Sequence, residues 1–217
     1  DQTTLAQATS GTLNTKYGVA KSTYYFYELN GSRTSNEKED RTGTNTTAKN
    51  LKDFIEKTEA NKGFYIARYE ASYGSGYNEG GTDTATKFAN AKPLSKVSTA
   101  NSTSSMNYKE GTLWNFITQP QAALVSQNMY KNDKYVESDL INSYAWDTAI
   151  VFIQTYSVKT DYASHNESNT TKAFTATGKN NDKYCNIFDM SGNAYEWTTE
   201  YSAKSVDSDF CPCVPRG

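Results

Sequence analysis

A chain of 217 residues with one histidine and three cysteines has few of the imidazoles and thiols that many catalytic and metal sites use. A Ser-His-Asp triad would have to be built on His165. The sequence around it, YASHNESNTT, is a polar loop in which a solvated imidazole is the default. Zinc sites of the usual kinds need a C-x₂-C spacing, which Cys211-Pro212-Cys213 and the distant Cys185 do not supply. Cys211 and Cys213 are too close to bridge each other easily. That leaves Cys185 paired with Cys211, Cys185 paired with Cys213, or a buried thiol acting as a small hydrophobe. No P-loop pattern occurs, and GSGYNEGG (Gly74 to Gly81) opens no helix, so it reads as a flexible loop rather than a phosphate cradle. No run of about 18 apolar residues exists, so nothing in this stretch spans a membrane. Twenty-two basic against 24 acidic residues, without clusters, argue against a nucleic-acid partner. The chain opens at Asp1 without an initiator methionine, which reads as a piece of a longer protein and leaves room for an upstream anchor.

What the sequence does have is tyrosine, 17 of them, in a background of Thr, Ser, Asn and 13 glycines. With tyrosine set aside and glycine counted, the apolar share is about a third against a usual 45–50%, so tyrosine must supply much of the packing and contact surface. Residues 1–60 read as an N-terminal extension holding one strand, STYYFYEL (Ser22 to Leu29), a polar loop, and a short helix. In that helix Leu51, Phe54, Ile55 and Thr58 share a face, and Gly63 or Asn61 is the left-handed cap. Residues 61–217 form the main domain. GFYIARYEAS (Gly63 to Ser72) is its strongest strand pattern, followed by a long polar region from Tyr73 to Glu110. Helices are predicted over Pro120–Lys131, with Thr118 as N-cap, and over Ser143–Tyr156, with Asn142 as N-cap. The first carries a stripe of Ala122, Val125 and Met129. The second lines one edge with Ala145, Thr148 and Phe152, with Tyr144 and Val151 alongside; Met129, Trp146 and Ile150 or their neighbours are the expected buried residues. A second polar loop runs from Lys159 to Lys183.

DMSGNAYEW, Asp189 to Trp197, concentrates the remaining chemistry. Calcium takes six to eight hard oxygen donors and mixes carboxylates with backbone carbonyls. A Gly192-Asn193 turn can aim carbonyls inward, and Asp189 and Glu196 add charged oxygens from either side. The same residues also suit an ordinary hairpin turn.

The stretch NIFDMSGNAYEW resembles the N-I-x-D-M-x-G-N-x-x-E-W signature of the formylglycine-generating enzyme (sulfatase-modifying factor) superfamily. GFYIARYEAS, the helix around QAALVSQNMY, LINSYAWDTAIVFI and CVPRG resemble further segments of that family, in the same order. The resemblance spans Gly63 to Gly217. It implies an α+β, variant C-type-lectin fold: a twisted, mostly antiparallel sheet with two packed helices and long irregular loops. It also implies a structural Ca²⁺ held by the Asp189 and Glu196 side chains and by the Gly192 and Ala194 carbonyls. The family's redox cysteines lie beyond its Arg-Gly-Gly strand, and none of Cys185, Cys211 or Cys213 maps to them.

The closer likeness is therefore to the non-enzymatic branch, the variable ligand-binding proteins of diversity-generating retroelements in bacteria and phages. The expected function is a ligand-binding or display module, extracellular, on a bacterial surface or a phage particle, truncated at its C-terminal end and facing a protein or glycan on another surface. Tyrosine-rich surfaces give rigid contact area at low entropic cost, and Tyr73, Tyr77 and Tyr162 in the polar loops are the candidate contacts. Two alternatives stand beside it: an enzyme of the formylglycine-generating type with its catalytic residues in a missing tail, and a cell-envelope or pilin-like structural subunit.

Overall fold

Leu51, Phe54, Ile55 and Thr58 do wind into a helix, α1 (Leu51–Asn61). The left-handed residue that ends it is Lys62 (φ 62°), not Asn61 or Gly63. The N–H of Gly63 reaches the Thr58 carbonyl (2.8 Å) and that of Lys62 reaches Glu59 (3.3 Å). This Schellman pair fixes the left-handed position directly after the last helical residue, whatever its side chain. In the computed structural model the chain is described over residues 51–82, 84–101, 105–163, 175–179, 182–201 and 213–216. The expected strand at Ser22–Leu29, His165 and Cys211 lie outside the described residues, as does the side chain of Cys213. Cys185 is a free thiol.

The fold is α+β, as expected, with short antiparallel strand pairs. GFYIARYEAS is not the strand its alternation suggests: pairing begins only at its last residue, in β1 (Ser72–Ser75), which lies against β2 (Lys92–Leu94). The residues before it find their backbone partners one at a time. Arg68 accepts from the Phe188 N–H, Tyr69 donates to Ser95 Oγ, and Ala71 accepts from the Trp114 N–H. A segment whose partners come from three different places cannot form a ladder. Between β1 and β2 runs the short helix α2 (Thr84–Phe88).

Helix α3 (Gln119–Asn128) starts one residue before the expected Pro120 and stops three before Lys131. The Thr118 N–H donates to Gln121 Oε1 (2.9 Å), one half of a capping box. Its buried side is Ala123, Val125 and Asn128; Ala122 and Met129 are only half-buried. Asn128 explains the early stop: its side-chain amide donates to the Phe88 and Ala91 carbonyls, tying the helix end to α2. Helix α4 (Ser143–Tyr156) has the predicted bounds, and Asn142 Oδ1 accepts the Ala145 N–H at 2.8 Å. Its buried line, however, is Ala145, Ala149, Ile150 and Ile153, whereas Thr148, Val151 and Phe152 face outward and Trp146 is half-buried. A helix apolar on nearly every side leaves periodicity unable to choose the inner face.

Two cores result. Ala149, Ile150, Ile153, Tyr162, Ile187 and Met190 form one; Tyr73, Phe88, Ala91, Trp114 and Val125 form the other. Strands β3 (Lys183–Tyr184) and β4 (Ile187–Phe188) make a tight hairpin through Cys185 and Asn186, both at positive φ (50° and 63°), as a two-residue type I′ turn requires. β5 (Glu196–Tyr201) pairs antiparallel with β6 (Cys213–Arg216), and α3 and α4 both pack on β5. Among the described residues the sheet structure consists of these three strand pairs and two isolated bridges, Ser72 with Leu113 and Thr99 with Thr112, rather than one continuous sheet. No described helix is long and apolar enough to cross a membrane.

Candidate functional site

The segment from Asp189 to Glu196 joins the β3–β4 hairpin to β5, so the expected ligand residues all belong to one bend. Three of its residues occupy left-handed backbone: Asp189 (φ 56°), Gly192 (φ 101°) and Asn193 (φ 63°). Glycine takes that conformation freely, and short polar side chains tolerate it because they can hydrogen-bond locally. Asp189 is fully buried. Its N–H donates to the Asp182 carbonyl (3.0 Å), and its Oδ2 accepts from Thr177 Oγ1 and from the Gly178 N–H, each at 2.8 Å. Its Oδ1 is buried with no hydrogen-bond partner, and so is Oε2 of Glu196 at the start of β5.

A third carboxylate, Glu70, arrives from the segment before β1. Its Oε2 accepts from Asn193 Nδ2 at 2.5 Å and its Oε1 from the Ala194 N–H at 3.2 Å. Asn193 is held from the other side by Thr175, whose N–H and Oγ1 both donate to Asn193 Oδ1 (2.9 and 3.0 Å). Trp197, next along β5, is half-buried and donates its indole N–H to the Ile117 carbonyl at 2.7 Å.

The three acids lie close enough to repel one another. Burial, reinforced by the Asp189 carboxylate, pushes Glu70 up to about 8 against the hydrogen bonds from Asn193 and Ala194. Burial, then Glu70, with Asp189 further down, holds Glu196 well above the usual carboxylate range against the pull of the nearby Trp146 indole N–H, which does not close a hydrogen bond. Among the described residues none of the three has an ion-pair partner. Burying a carboxylate without a counter-charge is costly, so this is an environment that gains from a cation. No three acidic, histidine or cysteine side chains converge on one metal-sized point among the described residues. An ion here would therefore draw on carbonyls as well as carboxylates. The donor chemistry, two unpartnered carboxylate oxygens beside a bend of left-handed residues, fits a hard cation such as Ca²⁺.

The other expected contacts move inward. Tyr73 (8% exposed) and Tyr162 (2%) are core residues, a correction to their reading as loop contacts. Tyr162 donates its hydroxyl to Asp182 Oδ2 at 3.0 Å, and Tyr73 meets the Trp114 ring edge-on at 5.4 Å. Scarce aliphatic residues leave tyrosine to fill the interior. Tyr77 is half-buried and stacks flat on Tyr108, with ring centroids 3.5 Å apart. Sequence reasoning missed Glu70, Thr175 and Thr177 as neighbours of the bend. Glu70 stood inside a quoted motif, but nothing in its spacing says that it meets a residue 123 positions away. The chain matches no protein-family profile, no curated protein and no solved structure.

Proposed function

We propose that the chain is a non-enzymatic ligand-binding or display module on a C-type-lectin-like frame, resembling the variable binding proteins related to the formylglycine-generating superfamily. In this reading a structural Ca²⁺ is held by the Asp189 and Glu196 carboxylates and the Gly192 and Ala194 carbonyls. The observation that carries it is the pair of buried, unpartnered oxygens, Asp189 Oδ1 and Glu196 Oε2. The ion would neutralise a charge the fold otherwise leaves uncompensated and would stiffen the bend. The display half draws on the tyrosine-rich composition and on exposed aromatic side chains, Tyr65, Tyr135, Tyr156 and Tyr195. The ligand is a protein or glycan on another cell or particle, met outside a bacterial cell or on a phage.

A calcium titration of the whole chain tests this, read by thermal melting and by retention on a glycan array. Calcium that binds only the native state stabilises by about 2.7 kcal/mol at a hundredfold excess over Kd, so the melting midpoint should rise. Retention should be stronger with calcium than with chelator, and Asp189→Ala should remove both responses. An unchanged midpoint at millimolar calcium would overturn the metal half of the proposal. Retention indifferent to calcium and equal to that of an unrelated protein would overturn a glycan as the displayed module's ligand.

A further inference from the structure

We infer that Glu70 is the positioning residue of the cation bend: it holds Asn193 and Ala194 from the far side, so that the Gly192 carbonyl and the Asp189 and Glu196 carboxylates can address one ion. The inference rests on the calcium reading above and concerns a residue outside that ligand set. Both Glu70 oxygens are already engaged, one by the Asn193 side chain and one by the Ala194 N–H. Holding a residue by its side chain and by the following N–H fixes the peptide planes on either side of it. The Gly192 carbonyl belongs to one of those planes. Asn193 sits at φ 63°, left-handed backbone that asparagine tolerates, and the two contacts with Glu70 hold it there.

What needs explaining is why this brace is an acid. A glutamine would fill the same space and still accept one of the two bonds, without adding like charge beside Asp189 and Glu196. Asp189 is fully buried with Oδ1 unpartnered, so ionising a further carboxylate beside it raises the cost of the metal-free fold. The cost is offset if a cation sits among the carboxylates. Glu70 then adds to the field on the ion without touching it, as outer carboxylates do around other metal centres. The same contact ties the segment before β1 to the bend, 123 and 124 positions away.

The test compares the whole native chain with Glu70→Gln and Glu70→Ala, melted in chelator and in calcium, with calcium affinity measured by isothermal titration. Above about pH 8, where Glu70 is ionised in the metal-free fold, Glu70→Gln should melt in chelator at the native temperature or above it, because one buried like charge has gone. It should nevertheless bind calcium about tenfold more weakly or worse, a loss of about 1.4 kcal/mol. Glu70→Ala should lose affinity further; should it not fold, the glutamine variant carries the test alone. Native calcium affinity in Glu70→Gln overturns the inference. So does a glutamine variant destabilised equally in chelator and in calcium, which marks a plain structural brace. A native chain that ignores calcium removes the metal reading itself, and this inference with it, whereas a responsive native chain with an equally responsive Glu70→Gln removes only the role given to Glu70.

Discussion

Glu70 and Glu196 are unusual as single residues because folding moves their proton affinities in the direction that weakens the fold near neutral pH. A free glutamate ionises near 4.5, while Glu70 in the fold keeps its proton up to about 8. Below 4.5 both folded and unfolded chains are protonated there and the group costs nothing. Between about 4.5 and about 8 the unfolded chain releases a proton that the folded chain retains, so stability falls as pH rises, and it levels off above. Glu196 acts in the same sense. In chelator, therefore, the melting midpoint should decline across that window, and saturating calcium should flatten the decline. A midpoint that climbs through the same range would contradict the buried, uncompensated acids. Little of this was legible in the sequence. DMSGN announced a bend with an acid before it, but the burial of Asp189 depends on Thr177 and Gly178, and Glu70 finds its partners only in three dimensions.

At the level of elements, local signals were read well wherever the determining contacts were also local. Helix α4 kept both predicted bounds because Asn142 caps it through the Ala145 N–H, a contact three residues long. Removing that acceptor with Asn142→Ala should cost about 1 kcal/mol, which for a domain of this size lowers the melting midpoint by roughly 2–4 °C. Glycine at the same position should cost only a few tenths of that, and thermal melting of the two variants side by side distinguishes a lost cap from a lost side chain. The strand expected over Gly63–Ser72 failed for the opposite reason: alternation states which side chains share a face, but a ladder also needs a continuous partner. Here the partners are Phe188, Ser95 and Trp114, each from a different element or loop. The face of α4 was misjudged because nearly all its positions are apolar, and only the neighbouring Tyr162, Ile187 and Met190 decide which side is inner.

Across the whole molecule, the bend gathers contacts from distant parts of the chain: Glu70 before β1, Thr175 and Thr177 from the second polar region, Ile117 through Trp197. Calcium bound at the bend should therefore slow amide hydrogen exchange around Arg68–Ala71 as well as at Asp189–Glu196, with mass spectrometry of peptides covering α1 as the internal control. Protection confined to the bend would show that the two segments open independently. The clasp between Glu70 and Asn193 also has a bearing on how the protein is made. At translation speeds of about 5–20 residues per second, the 123 positions between them separate their synthesis by on the order of ten seconds. For that interval the nascent chain carries a glutamate whose eventual partners have not yet been polymerised. The native arrangement of this region is thus completed only after Asn193 and Ala194 have left the ribosome.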